Sequence, residues 1–225
     1  MADKERMGTG SRRKRIAAVT ALSDPARLAL YELVSRSTEP VSRDAAAEAV
    51  GLSRSTTAFH LDRLADEGLL QVEYRRLGGK TGPGSGRPSK LYRRVVGEVT
   101  VSIPERHYDF AGHLLASAIE QSMETGAPVK DALGEIAEAA GRDLGHGAAS
   151  LSESLEENGF EPMAEGNDVV LGNCPFAALA QRHTGLVCDV NYHLVQGMEE
   201  AARDSHTVLS EPGAGRCCVR ITPQG

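Results

Sequence analysis

The sequence predicts an α+β fold in two domains of opposite charge. Amphipathic helices alternate with short strands along the 225 residues, and the charged side chains are distributed unequally between the halves. Residues 1–97 hold 18 Lys and Arg against 11 Asp and Glu, whereas residues 98–225 hold 7 against 20. The net charge of −6 therefore combines a basic half at +7 with an acidic half at −13. We predict two domains, 1–98 and 99–225.

Composition excludes several classes of protein. No apolar stretch approaches the roughly 20 residues that cross a bilayer, and the polar, basic N-terminus lacks the apolar segment of a secretory signal. We therefore expect a cytoplasmic protein whose 4 Cys are thiols or metal ligands rather than disulfides. Neither Gly-x-Ser-x-Gly nor His-Glu-x-x-His occurs, and the 7 His are scattered, so we expect no enzyme.

Four short helices are predicted in the basic half. Asp24 and Pro25 form a helix start, since a side-chain oxygen can cap and Pro is tolerated in the first turn. Ser42 and Ser53 can cap the next two helices, and Gly68 ends the last of them. The predicted helices span residues 12–21, 25–35, 43–50 and 54–67.

A basic hairpin follows the fourth helix. Residues 70–77 and 90–96 indicate two strands, and the loop between them, 78–88, is rich in Gly and cationic. Two helices around a Gly turn, followed by such a hairpin, are typical of a winged helix-turn-helix domain. The loop of the hairpin can follow a phosphate backbone or place Arg87 in a minor groove.

The same segments carry a family resemblance. The stretches SDPAR at 23–27, SRSTTAFHLDRL at 53–64 and GLL at 68–70 resemble the ArsR-type winged-helix repressors. The resemblance implies that the helix after Ser53 enters the major groove of DNA with its polar face. An ordinary small helical domain with a solvated basic face is the alternative. The expected DNA-contacting residues of helix and hairpin are Arg54, Ser55, Thr56, His60, Arg63, Lys80, Arg87 and Lys90.

The acidic half is predicted to be helical first and mixed afterwards. Helices directly after a winged domain commonly hold two copies together, so we expect a homodimer on a two-fold DNA site. Packing of these helices on their own domain is the alternative. The full prediction is an N-terminal winged helix-turn-helix domain, a helical dimerisation segment and a small α+β sensor domain. Helices are expected at 107–123, 128–144, 150–158 and 186–202, and strands at 168–171 and 216–221.

All four cysteines lie in the acidic half. No C-x-x-C pair occurs, which argues against a zinc finger. Cys174 precedes a Pro that can start a helix, where free N–H groups would stabilise a thiolate. Strand alternation places Cys217 and Cys218 on opposite faces, so we predict Cys218 to be a bystander. Four buried structural thiols are the alternative. The predicted metal ligands are Cys174, Cys188 and Cys217.

The cysteine segments carry a second resemblance. NCPF at 173–176, VCDVN at 187–191 and RCCVRI at 216–221 are similar to the SufR-type branch of the winged-helix repressors. The resemblance implies a repressor that binds an iron–sulfur cluster, with 4Fe–4S as the expected form, and controls cluster-assembly or related redox genes. A regulator that senses an organic ligand or zinc, with structural thiols, is the alternative. Three thiolates leave one iron to another ligand, for which the candidates are His183, Asp189, His193, Cys218, a small thiol or water.

Overall fold

The computed structural model of the protein describes residues 12–75, 88–211 and 216–224. The chain divides after Val101 into two compact units, an N-terminal unit that ends there and a C-terminal unit that begins at Ser102. Within the described ranges, no helix has the length and hydropathy needed to cross a membrane.

The described part of the N-terminal unit consists of four helices and three short strands, and each predicted helix is confirmed to within one residue. The side chains of Asp24, Ser42 and Ser53 each accept a hydrogen bond from a backbone N–H of the following turn, which confirms the predicted caps. The elements are α1 (Arg12–Ala21), α2 (Pro25–Arg36), β1 (Val41–Ser42), α3 (Arg43–Val50), α4 (Arg54–Asp66), β2 (Leu70–Arg75) and β3 (Ser89–Arg94).

The predicted hairpin is formed by β2 and β3. The two strands pair antiparallel from Leu70 opposite Arg94 to Arg75 opposite Ser89, and β1 pairs with the other edge of β3. The helices and the sheet share one apolar core, which holds α4 beside the hairpin. Its buried members include Leu30, Val34, Leu61, Leu64 and Tyr92.

The C-terminal unit combines helices with an antiparallel sheet whose strands follow the order β4-β5-β7-β6. The four helices predicted here are confirmed to within two residues. Strands β4 and β6 were not predicted, because both lie at sheet edges and leave most side chains exposed. The elements are α5 (Tyr108–Thr125), α6 (Val129–Gly145), α7 (Leu151–Glu157), β4 (Pro162–Glu165), β5 (Asp168–Leu171), α8 (Ala177–Arg182), α9 (Thr184–Ala202), β6 (His206–Ser210) and β7 (Val219–Pro223).

Helices α6 and α9 pack with their backbones in contact. A Cβ atom at Gly141 would overlap the carbonyl group of Leu194, and one at Gly197 would overlap the carbonyl group of Glu138. Only glycine permits so close an approach of two helices. The contact fixes the position of α9, the helix that carries Cys188.

Candidate functional site: helix α4 and a cysteine cavity

Helix α4 buries one side and exposes the other. Thr57, Leu61 and Leu64 face the core. With about 100° of rotation per residue, the side chains directly across the helix are those of Ser55 and Phe59. Both are exposed. The exposed phenyl ring was not predicted as part of the site, although its position outside the apolar stripe of α4 was a usable signal.

The first turn of α4 presents three of the predicted DNA-contacting residues. Arg54, Ser55 and Thr56 are all exposed. The hydroxyl of Ser53 lies 3.0 Å from that of Ser55 and 2.8 Å from that of Thr56, so three hydroxyl groups cluster at the N-terminus of the helix. Arg54 pairs with Asp44, but both side chains are largely exposed. Such a pair contributes little in water and leaves the guanidinium group available to DNA.

Two further predicted residues lie along α4. Arg63 is exposed and pairs with Glu67 one turn later. His60 is half-buried, and its ring packs edge-on against the ring of Phe59, with centroids 5.4 Å apart and an interplanar angle of 64°. The helix therefore arranges hydroxyl, aromatic and guanidinium groups along one exposed side.

Lys90 lies in an ion-pair network that joins the hairpin to α4. Its ammonium group is 2.5 Å from a carboxylate oxygen of Asp62, which also accepts hydrogen bonds from the Tyr92 hydroxyl and the Arg43 guanidinium. Partial burial alone would raise the pKa of Asp62, but the three donated hydrogen bonds outweigh it and lower that pKa below its ordinary range. Lys90 thus positions β3 on α4. The predicted phosphate contacts Lys80 and Arg87 lie outside the described residues.

The four cysteines of the C-terminal unit line one cavity of about 310 Å³. Cys174 follows β5, Cys188 lies in the first turns of α9, and Cys217 comes just before β7. The structure therefore brings the three predicted ligands together from separate segments. Cys174 is half-buried and the other cysteines are buried.

The predicted orientation of Cys218 is wrong. Strand β7 begins at Val219, so Cys217 and Cys218 precede the strand and do not alternate between its faces. Both thiols line the same cavity, and the Cys218 thiol lies 3.8 Å from the carbonyl oxygen of Cys188. The cavity holds four sulfur donors rather than three.

Two asparagines position the loop that carries Cys174. The side-chain amide of Asn191, a fully buried residue of α9, donates a hydrogen bond to the Cys174 sulfur at 3.3 Å. The side-chain amide of Asn173 donates to the carbonyl oxygen of Gly159 at 2.6 Å, and its oxygen accepts from Arg106. Neither asparagine was predicted as part of the site, although both fall within the resemblance segments.

The thiols differ in protonation. Cys217 donates a hydrogen bond to Cys174 and, together with the backbone N–H of Phe176, lowers the pKa of Cys174 to about 6. Burial raises the pKa of Cys188 to about 12, and the hydrogen bond to Cys174 raises the pKa of Cys217. Hydrogen bonds with Cys217 and Cys188 lower the pKa of Cys218 to about 7. The cavity thus presents two thiols with lowered pKa, Cys174 and Cys218, beside two with raised pKa, and the thiolate is the form of cysteine that binds metals.

The cavity does not have the geometry of a site for one metal ion. Among the described residues, no three His, Cys, Asp or Glu side chains are arranged to hold a single ion. A tetrahedral zinc site needs four ligands within about 2.3 Å of one point. The thiols instead lie close enough to hydrogen-bond to one another, Cys217 with Cys174 and Cys218, and Cys218 with Cys188.

The fold and exposed face of α4 define the N-terminal unit as a winged helix-turn-helix domain. A family model described as a helix-turn-helix domain matches residues 22–73, which run from α2 through α4 into β2. The match confirms the predicted helix-turn-helix and supports a DNA-binding transcription regulator. Comparison with curated proteins and with solved structures gives no significant match.

Proposed function

We propose that the chain is a repressor whose affinity for DNA depends on an iron–sulfur cluster held by Cys174, Cys188 and Cys217. The observation that carries the proposal is the convergence of all four cysteines on one cavity of a chain that also has a DNA-binding domain. Thiolates are the usual ligands of iron–sulfur clusters, so the donor set suits this group. We propose that the chain acts as a regulator and not as an enzyme.

The number of cysteines at the cavity suits a polynuclear group. In a 4Fe–4S cluster each iron takes one thiolate, so the sulfur donors stand apart around a larger body. The hydrogen-bonded thiols at the cavity would therefore have to move apart to hold a cluster. Cys174, Cys188 and Cys217 would each hold one iron, and Cys218, which lines the same cavity, is a candidate for the fourth.

On the DNA side, α4 would lie in the major groove. The hydroxyl cluster and Arg54 at its N-terminus would read base edges, and the hairpin loop would contact phosphates. Two copies would bind a two-fold site. In such a homodimer the exposed Ile119 and Met123, one turn apart on α5, would be available to pack between the two copies.

The proposed response couples the cavity to DNA affinity. A bound cluster would be lost on oxidation or when iron is scarce. The thiols that would hold it belong to the loop before α8, to α9 and to the segment just before β7, so a bound cluster would tie three segments together. A coupling of about 1–3 kcal/mol would change DNA affinity roughly 5–150-fold.

A second candidate function is the sensing of a small organic ligand with structural thiols. The observation in its favour is the volume of the cavity, about 310 Å³, which is near the lower limit of small-molecule sites. Its lining also includes the apolar Ala177 and Ala180.

Anaerobic purification of the full-length protein separates the two candidates. The repressor proposal predicts a brown protein that contains iron and acid-labile sulfide and loses its colour in air. A colourless protein without iron would contradict the proposal. A colourless protein that retains an organic compound after purification would favour the second candidate.

A further inference from the structure

Phe59 is an exposed aromatic residue at the centre of the α4 face that meets DNA in the proposed function. Its side chain is 64% exposed. Single exposed apolar residues are common on proteins, so exposure alone does not indicate a binding surface. The position of Phe59 does indicate one, because Phe59 lies one turn after Ser55 and one turn before Arg63, two of the expected DNA-contacting residues.

The ring has a defined support. The His60 ring packs against it in a T-shaped contact, with ring centroids 5.4 Å apart. Aromatic pairs in this edge-to-face arrangement are favourable, so the contact restricts the rotation of the phenyl ring. A restricted ring loses less entropy when it meets a partner surface than a freely rotating one.

The chemistry of the major groove identifies the partner group. A phenyl ring offers no hydrogen bond to the base edges, and the C5-methyl group of thymine is the apolar group that the major groove presents. We propose that Phe59 is a specificity-determining residue that packs against a thymine methyl group when α4 lies in the major groove. The proposal rests on DNA binding by α4 and extends it to one base.

A second copy of the chain is a less suitable occupant of this surface. Asp62, one turn after Phe59, already accepts hydrogen bonds from Arg43, Lys90 and Tyr92. The other residues around Phe59 on the exposed side are two hydroxyl residues, Ser55 and Thr56, and the cationic Arg63. A protein interface with a core of this kind would bury polar groups and a charge, whereas DNA offers acceptors and phosphates to each of them.

The test uses duplexes selected from a random DNA pool by the full-length protein. In a selected duplex each thymine is replaced in turn by deoxyuridine, which lacks the methyl group and keeps the same hydrogen-bonding edges. For the wild-type protein we expect about a fourfold loss of affinity for each contacted methyl group, at one position of the half-site. For Phe59→Ala the same replacement should have no effect. Because Ala is the best helix former at an exposed position, the substitution should leave α4 folded.

Val96→Ala is the control, since it removes another exposed apolar side chain outside α4 and should keep the full response to deoxyuridine. Equal responses of wild type and Phe59→Ala at every thymine would overturn the proposal. So would a shift of Phe59→Ala towards monomer, because it would place the ring between two copies. If no duplex is enriched at all, the proposed DNA binding itself is wrong. That outcome differs from the loss of the methyl contact in a protein that still binds DNA.

Discussion

The two units assemble their candidate sites in different ways. The DNA-binding face comes from one helix and the hairpin next to it, within residues 54–94. The cysteine cavity draws Cys174, Cys188 and the Cys217–Cys218 pair from three separate segments, and depends on the close contact of α6 with α9. The first site is a local property of the sequence, and the second is a property of tertiary packing. Variants in the two units should therefore fail differently.

The largest effect is expected for the iron content of cysteine variants. Cys174→Ser, Cys188→Ser and Cys217→Ser should each abolish iron binding, because each removes one proposed thiolate ligand. Cys218→Ser should keep the iron but lose it faster in air. Iron per chain and the rate of bleaching are the measurements. Retention of iron by any of the first three variants would remove that residue from the ligand set.

Packing of α6 on α9 should be the next most sensitive feature. Gly141→Ala places a methyl group onto backbone atoms of α9, so we expect a loss of about 3 kcal/mol or more in the free energy of unfolding. The matched control is Gly112→Ala in α5, where a Cβ atom meets nothing within 4 Å and should stabilise the helix by about 0.5–1 kcal/mol. Denaturant unfolding followed by circular dichroism measures both. Similar values for the two variants would contradict the close helix contact.

Local substitutions on the DNA side should change recognition without unfolding the domain. Arg54→Ala should cost about 1–3 kcal/mol in binding and relax the preference at one base pair of each half-site. Lys80→Ala should weaken binding to all sequences alike and reduce the dependence on salt by about one unit of slope. Binding titrations at several salt concentrations distinguish the two patterns. A uniform loss for Arg54→Ala would remove it from base recognition.

The smallest effect is expected for the network that fastens the hairpin to α4. Asp62→Asn should cost about 1 kcal/mol of stability after allowance for solvent screening, while Asp66→Asn on the exposed side should be neutral. Because the pKa of Asp62 is lowered in the folded state, its stabilisation is present above about pH 4 and disappears as the pH falls through the folded value. The difference in the free energy of unfolding between wild type and Asp62→Asn should therefore disappear at acidic pH. A difference that is independent of pH would contradict this role.

Local signals predicted much of the fold. Caps and glycine stops located the helices of the N-terminal unit, and apolar periodicity located α5, α6, α7 and α9. Edge strands β4 and β6 were not predicted, because exposed strands have little apolar alternation. Cys218 was misplaced because the start of β7 depends on its pairing with β5 and β6.

The functional faces were predictable to a similar degree. The exposed start of α4 follows from helical periodicity, since the buried stripe determines which side faces outward. The engagement of Lys90 by Asp62 joins residues 28 positions apart and could not be predicted from local pattern. The convergence of the thiols on one cavity likewise needed the packed structure.

We propose that the cysteine cavity and the DNA-binding face are coupled. The most direct measurement is the affinity of the full-length protein for one selected duplex, determined anaerobically before and after removal of iron by a chelator. We predict a change of roughly 5–150-fold between the two forms, absent in Cys174→Ser. Equal affinity of the iron-loaded and iron-free forms would contradict the account, even if the protein binds both iron and DNA.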